Sequence, residues 1–287
     1  MIKLYTLLIT LLFSLSVMAS GIAVSPLIIE LKSESSDTVP FEFTISGKEK
    51  AKKVRLSVYD MKQQNTGHMG FIETLNDNNQ SKAAWVRLEK DEYTIKKDAS
   101  IQVPGKIKIP PRSPGNHLVA VMVEELKENA SQQGISINVR YAVILNITVE
   151  DNKRRPRVKT DFQQLELVKL NDRLMLMGDF ANLSQHEGFL QSEVQIRDQD
   201  RKLVERVRLM TESAWQRQDP ASRVFPGSNV KVFGFISREL DEGDYEFKVR
   251  NRFSDKTQPT YKVRLKYDDS IRQIIRKKAA NPEAEQE

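Results

Sequence analysis

From residue 20 onward, apolar side chains recur at every second position. Val54, Leu56 and Val58 alternate with Arg55, Ser57 and Tyr59. Ile101 and Val103, then Ile107 and Ile109, alternate with polar neighbours on either side of Pro104-Gly105. Val119, Val121 and Val123 repeat the period. Val194 with Ile196, Val230 with Val232, and Tyr245, Phe247 and Val249 carry it through the second half. A strand turns successive side chains to opposite faces, so a period of two predicts strands with one buried face. Gly, Pro, Asn and Asp bound these segments, as in antiparallel sheets. Many short strands of this kind predict β-sandwiches rather than an α/β enzyme fold. Helical spacing is clearest at Ile271, Ile274 and Ile275, inside a charged tail that ends in Pro, Glu and Gln.

One segment breaks the alternation. Glu150-Asp151-Asn152-Lys153-Arg154-Arg155-Pro156-Arg157 places charge and a proline where a strand would run. It divides residues 20–151 from residues 152–268, each the size of an Ig-like domain, and leaves 269–287 as the tail. The predicted class is all-β, with two Ig-like β-sandwich domains and no close repeat between them. Just before the boundary, Ile135, Ile137, Val139, Tyr141, Val143, Leu145, Ile147 and Val149 alternate unbroken, in a segment far longer than the usual strand. Two readings are open. The segment is the well-paired last strand of the first sandwich, or it is an edge offered to another protein by strand addition. The second reading makes Ile135, Ile137, Val139 and Tyr141 partner-binding residues.

The first residues set the compartment. Lys3 precedes an apolar run from Leu4 to Leu15, and Val17-Met18-Ala19 offers a cleavage site after Ala19. Residues 1–19 read as a secretory signal peptide, too short for a membrane anchor. Later in the chain, no stretch approaches a membrane helix. The expected location is periplasmic or secreted. Removing residues 1–19 takes away Lys3 and no acid, so the charge falls from +6 to +5. A basic exported protein suits anionic envelope material or an acidic protein partner rather than nucleic acid.

Composition and motifs argue against an enzyme. With no cysteine, thiolate metal sites and a cysteine nucleophile are excluded. The three histidines, His68, His117 and His186, lie far apart, so no metal or other cofactor is expected. A serine elbow, a phosphate loop and a paired-histidine motif are all absent. Ser228-Asn229-Val230-Lys231 has Ser-x-x-Lys spacing, but in a strand residues three apart face opposite sides. Trp85 and Trp215 read as packing anchors.

Two family resemblances follow from specific residues. Ile22 to Leu31, Phe43-Thr44-Ile45, Val54 to Asp60 and Arg140 to Leu145 resemble strands of the periplasmic pilus chaperones, the PapD-like family. That resemblance implies two sandwiches set about a cleft and a long strand that completes a subunit's unfinished sandwich. It also implies basic cleft residues that hold the subunit's terminal carboxylate. The family's first-strand arginine has no counterpart in Pro26-Leu27-Ile28-Ile29, which leaves Arg140, Arg154 and Arg155 as the candidate carboxylate anchor, with Arg157 beside them. Arginine suits this because its planar fork binds a carboxylate through two hydrogen bonds.

A second set, Trp85 to Leu88, Ile109 to Gly115, Gly178 to Leu183, Phe225 to Ser228 and Leu240 to Tyr245, resembles WxL-interacting cell-surface proteins. Those proteins are implied to bind peptidoglycan and a protein partner and to end in a membrane helix, which is replaced here by a charged tail. The expected function is therefore an exported, non-enzymatic chaperone for pilus or surface-structure subunits. The alternative is an envelope scaffold or adhesin that binds peptidoglycan or a surface protein.

Overall fold

A computed structural model describes residues 21–48, 50–73, 81–126, 139–150, 158–171, 173–254, 256–258 and 260–268. The proposed signal peptide, Ile135, Ile137, Arg154, Arg155, Arg157 and the tail isoleucines lie outside the described residues.

The alternating segments form strands packed as two sandwiches, one after the other along the chain. The first contains β1 (Ile22–Ser25), β2 (Ile28–Glu34), β3 (Thr38–Gly47), β4 (Lys52–Gln63) and β5 (Met69–Glu73). These are followed by β6 (Val86–Leu88), β7 (Glu92–Ile95), β8 (Ser100–Lys108), β9 (Gly115–Leu126) and β10 (Arg140–Glu150). One sheet runs β1-β3-β8-β6; the other runs β2-β10-β9-β4-β5, with β7 beside β4. Phe43, Ile45, Val103, Val121, Val143 and Leu145 fill the space between them and are almost wholly buried.

The first strand serves both sheets. β1 pairs antiparallel with β3; the chain then crosses at the cis Ser25-Pro26 bond, and β2 pairs parallel with β10. The Pro104-Gly105 step does not end a strand: β8 runs through it, and the two apolar pairs flanking it share one element. Gly105 is needed there, because a Cβ would lie 2.3 Å from the Phe41 ring.

The second sandwich contains β11 (Thr160–Leu170), β12 (Arg173–Asn182), β13 (Gly188–Arg197), β14 (Leu203–Leu209), β15 (Ser222–Val224) and β16 (Asn229–Phe235). β17 (Gly243–Phe253), β18 (Lys256–Thr257) and β19 (Tyr261–Tyr267) complete it. β11-β12-β16 form one sheet. β14-β13-β17 form the other, joined by β15, β18 and β19. Phe180, Val194, Val232, Phe247 and Phe253 form its core. The short helix α1 (Glu212–Arg217) was not foreseen from apolar spacing. It is set by Thr211, whose side chain accepts the Ala214 amide, and it ends at Gln218 in the left-handed region. Among the described residues, no helix is long and apolar enough to cross a membrane.

Candidate protein-binding face

The site is built on β10. The amide of Ile144 donates to the carbonyl of Leu27, and from Ile144 to Glu150 the strand pairs with β2. N-terminal to Ile144, among the described residues, no strand pairs with β10 on that side, while β9 pairs with it from Arg140 onward. Main-chain groups alternate sides along a strand, so Arg140 and Ala142 point their N–H and C=O groups at the open edge. Leu27 and Ile28, where the edge closes, are 46% and 56% exposed.

The even-numbered side chains of β10 lie on the outer face of the larger sheet, and the strand register orders them into rows. Arg140, Glu124 and Arg55 form one row, continued by Glu92, which accepts two hydrogen bonds from Arg55. Ala142, Met122 and Ser57 form the next. Ile28, Ile144, Ala120 and Tyr59 follow, and Glu30, Asn146 and Leu118 come last. An apolar band thus lies between a charged row at one end and Glu30 with Asn146 at the other.

The second sandwich faces that last row across a cleft. The hairpin between β4 and β5 docks against it through main-chain bonds: Lys231 N–H to Asn65 O at 2.7 Å and Ser213 N–H to Thr66 O at 3.0 Å. Gln63, 5% exposed, is the clamp. Its amide donates to the carbonyls of Gly67 and Arg223, and its oxygen accepts from the Phe225 N–H. Gly67 takes a positive φ of 86° at the turn, and a Cβ there would meet the Thr211 side chain at 2.7 Å. Asn116 N–H to Gln185 O at 2.9 Å and Glu187 N–H to Asn116 Oδ1 at 3.0 Å tie the start of β9 to the same domain.

Between the domains lies a cleft of about 550 Å³. Ile28, Ile144, Leu118 and Met61 line it from the first sandwich, and Phe189, Phe225, Arg217 and Arg223 from the second. Both arginines are engaged: Arg223 binds Glu187 through two hydrogen bonds, and Arg217 lies 2.8 Å from Asp219. Asn146, 4% exposed, donates from Nδ2 to Glu30 at 2.7 Å. Its Oδ1 has no hydrogen-bond partner among the described residues.

Of the sequence-derived candidates, those among the described residues, Val139, Arg140 and Tyr141, fall at the open end of β10. Val139 is 53% exposed and immediately precedes the strand. Tyr141 turns inward: its ring packs against the core, and its hydroxyl donates to the Ile22 carbonyl at 2.7 Å. Arg140 pairs with Glu124 at 3.2 Å, and six residues of strand, about 20 Å, separate it from Asn146 in the cleft. Glu30, Asn146 and Gln63 were not singled out from sequence. Their only signal was a polar residue interrupting an apolar stretch, as Glu30 does after Leu27-Ile28-Ile29.

The other chemical candidates stay apart. Ser228 is buried while Lys231 is exposed on β16, as expected for opposite faces. Glu187 is committed to Arg223, and His117 lies edge-on to Trp85 with ring centroids 4.7 Å apart. Trp215, read as a packing anchor, is 50% exposed and leans on Phe233 and Phe235. Among the described residues no cluster of His, Asp and Glu could hold a metal ion.

No protein-family model matches the chain, and no curated protein matches it. Among solved structures it is similar to PapD-like fimbrial chaperones at low identity. A chain of the chaperone–tip adhesin complex of CFA/I fimbriae biogenesis aligns at TM-score 0.46 and 9% identity, covering 86% of this chain and 98% of that one. The class 5 fimbriae chaperone CfaA aligns at 0.44 and 10%, covering 86% and 99%. A chain of the CsuC–CsuE pre-assembly complex from Acinetobacter baumannii aligns at 0.43 and 12%, covering 84% and 97%.

Proposed function

We propose that this chain is an exported, non-enzymatic chaperone that binds a β-rich subunit of a surface structure by strand pairing along β10. Residues 1–19 direct export to the periplasm. The observation that carries the reading is the edge of β10 left open ahead of Ile144, with Ile28 and Ile144 exposing apolar surface beside it. An unpaired edge offers main-chain donors and acceptors in register, and alternate side chains supply specificity. Val139, exposed just ahead of β10, extends that edge, Arg140 marks its charged limit, and Ile135 and Ile137 continue the same alternation in sequence. Arg154 and Arg155, just past β10, supply positive charge for an acidic partner.

The test is affinity capture by the purified chain from its native envelope, followed by mass spectrometry. The informative variant is Ala142→Pro, which deletes one donor on the open side and none of the bonds to β9. Loss of a stoichiometric β-rich partner in Ala142→Pro and in the Ile137→Asp, Val139→Asp double variant, with melting preserved, supports the proposal. Capture that persists in both overturns it. Retained muropeptides or a retained large surface protein would instead identify a scaffold.

A further inference from the structure

We propose that residues 271–280 fold back as a helix onto the outer face of the three-stranded sheet of the second sandwich. The first observation is that face. In β11-β12-β16, Leu174, Leu176, Phe180, Val230 and Val232 point into the core. Their neighbours point outward, and the register sets them in rows. From the end at the β11–β12 turn these read Leu170, Arg173; then Val168, Met175, Phe235; then Glu166, Met177, Phe233; then Gln163, Asp179, Lys231. Trp215 of α1 adjoins them, its ring centroid 5.9 Å from Phe233 and 6.0 Å from Phe235. The apolar members of these rows are contiguous, and none belongs to the cluster that fills the sandwich. Leu170 and Trp215 are 46% and 50% exposed. Adjoining apolar rows turned away from a core mark a surface that something covers.

The second observation is where the chain leaves the sandwich. β19 pairs antiparallel with β17 and ends at Tyr267, which lines a cavity with Lys169, Arg173 and Leu174. The exit is therefore at the end where Leu170, Arg173 and Phe235 begin the outer rows. From Asp268 to Ile271, three residues of extended chain span about 10 Å, the distance from one layer of a sandwich to the other.

The third is the segment itself. Ser270 with Gln273 has the Ser-x-x-Gln spacing that starts a helix, and Pro282 stops one. Ile271, Ile274 and Ile275 then share one stripe, with Lys278 a turn further on. So short a helix is marginal alone in water and needs a surface for its apolar stripe. At about 1.5 Å per residue, Lys278 lies about 10 Å beyond Ile271, while the rows of the sheet are about 7 Å apart. With Ile271 on the Met175 row, Ile274 and Ile275 meet the Met177 row, and Lys278 reaches Glu166 and Asp179. Those two carboxylates form no ion pair among the described residues, although Lys231 stands beside Asp179. Arg173, the other outward cation near the exit, is turned onto the Phe235 ring, 4.5 Å from its centroid.

The test uses the full chain. It has no cysteine, so Lys277→Cys carries a single nitroxide label, and the methionine methyl signals in NMR report which side chains lie near it. Met175 and Met177 should lose most of their intensity, while Met122, on the first sandwich, keeps its own. Adding Ile274→Asp and Ile275→Asp to the labelled chain should restore Met175 and Met177. Full intensity at both methionines before those changes, or equal loss after them, would overturn the proposal. So would the same loss when nitroxide-labelled chains are mixed with separate methyl-labelled chains, because that places a second copy on the face. None of these changes touches β10, so the result stands apart from strand capture.

Discussion

The two sandwiches share a fold but present opposite outer faces on their larger sheets. In the second sandwich the rows read Arg208, Glu193, Arg250; then Arg206, Gln195, Lys248, Lys262; then Leu203, Arg197, Glu246, Arg264, with Leu203 the one apolar member. In the first, two successive rows carry Ala142, Met122, Ser57 and Ile28, Ile144, Ala120, Tyr59. A sheet face left to water gains nothing from apolar side chains, and contiguous apolar surface on a folded protein marks an interface. The inward half of each alternation dictates folding; the outward half dictates use. Of these two larger sheets, among the described residues, only that of the first sandwich combines an apolar outer band with an open strand edge beside it.

The sharpest way to break that comparison is to change neighbours on β10. Leu145 faces the core with no exposed surface, and Leu145→Ala should cost about 2–5 kcal/mol in chemical denaturation, from lost burial and the cavity left behind. Ile144→Asp, one residue earlier and on the outer face, should leave denaturation within about 1 kcal/mol and abolish partner capture. Lys248→Asp, at the matching place on the second sandwich, should change neither. Loss of capture in Lys248→Asp would show that both faces serve binding.

A smaller effect tests whether the two faces must be held together. Gln63→Ala leaves the Arg223 carbonyl and the Phe225 amide unpaired across the domain junction. The expected loss is about 1–3 kcal/mol, with a wider distribution of interdomain angles by small-angle scattering. Unchanged scattering would mean that the main-chain bonds of Asn65 and Thr66 suffice to hold the hairpin.

These contrasts show what was legible from residue order. Val54, Leu56 and Val58 are all packed inward in β4, because alternation reports the half-buried face directly. Pro104-Gly105 was less readable: the same dipeptide ends strands elsewhere, and only the ring of Phe41 on the neighbouring strand explains the glycine. The site was harder still. Glu30 and Asn146 are 116 positions apart and become neighbours only through the parallel pairing of β2 with β10, a register no local pattern encodes. Thr211 and Glu212 did carry a local helix-start signal, but a six-residue helix is too short to develop apolar spacing.

Tyr141 sharpens the comparison further, since it sits where the open edge meets the core. Its hydroxyl holds the start of β1 to β10. Tyr141→Phe should cost about 1 kcal/mol and leave the ring's packing in place. Capture should persist, because the open edge is made by the main chain of Arg140 and Ala142. Loss of capture at unchanged stability would transfer the hydroxyl to the partner.

The smallest effect concerns His117, at the foot of β9 beside the domain junction. Burial disfavours its imidazolium and lowers its pKa below the ordinary histidine value; Lys82 and His186 act the same way, and the bond to the Ser113 carbonyl opposes them. The unfolded chain therefore binds this proton at a higher pH than the folded chain. Stability from the neutral ring is complete above about pH 6.5 and is lost as pH falls through the lowered folded value. His117→Gln keeps a donor for Ser113 and removes the titration. Denaturation midpoints between about pH 7 and pH 5 should then fall less steeply than in the parent chain. An equal slope in both would place the acid sensitivity outside this junction and leave the contact with Trp85 as a packing feature alone.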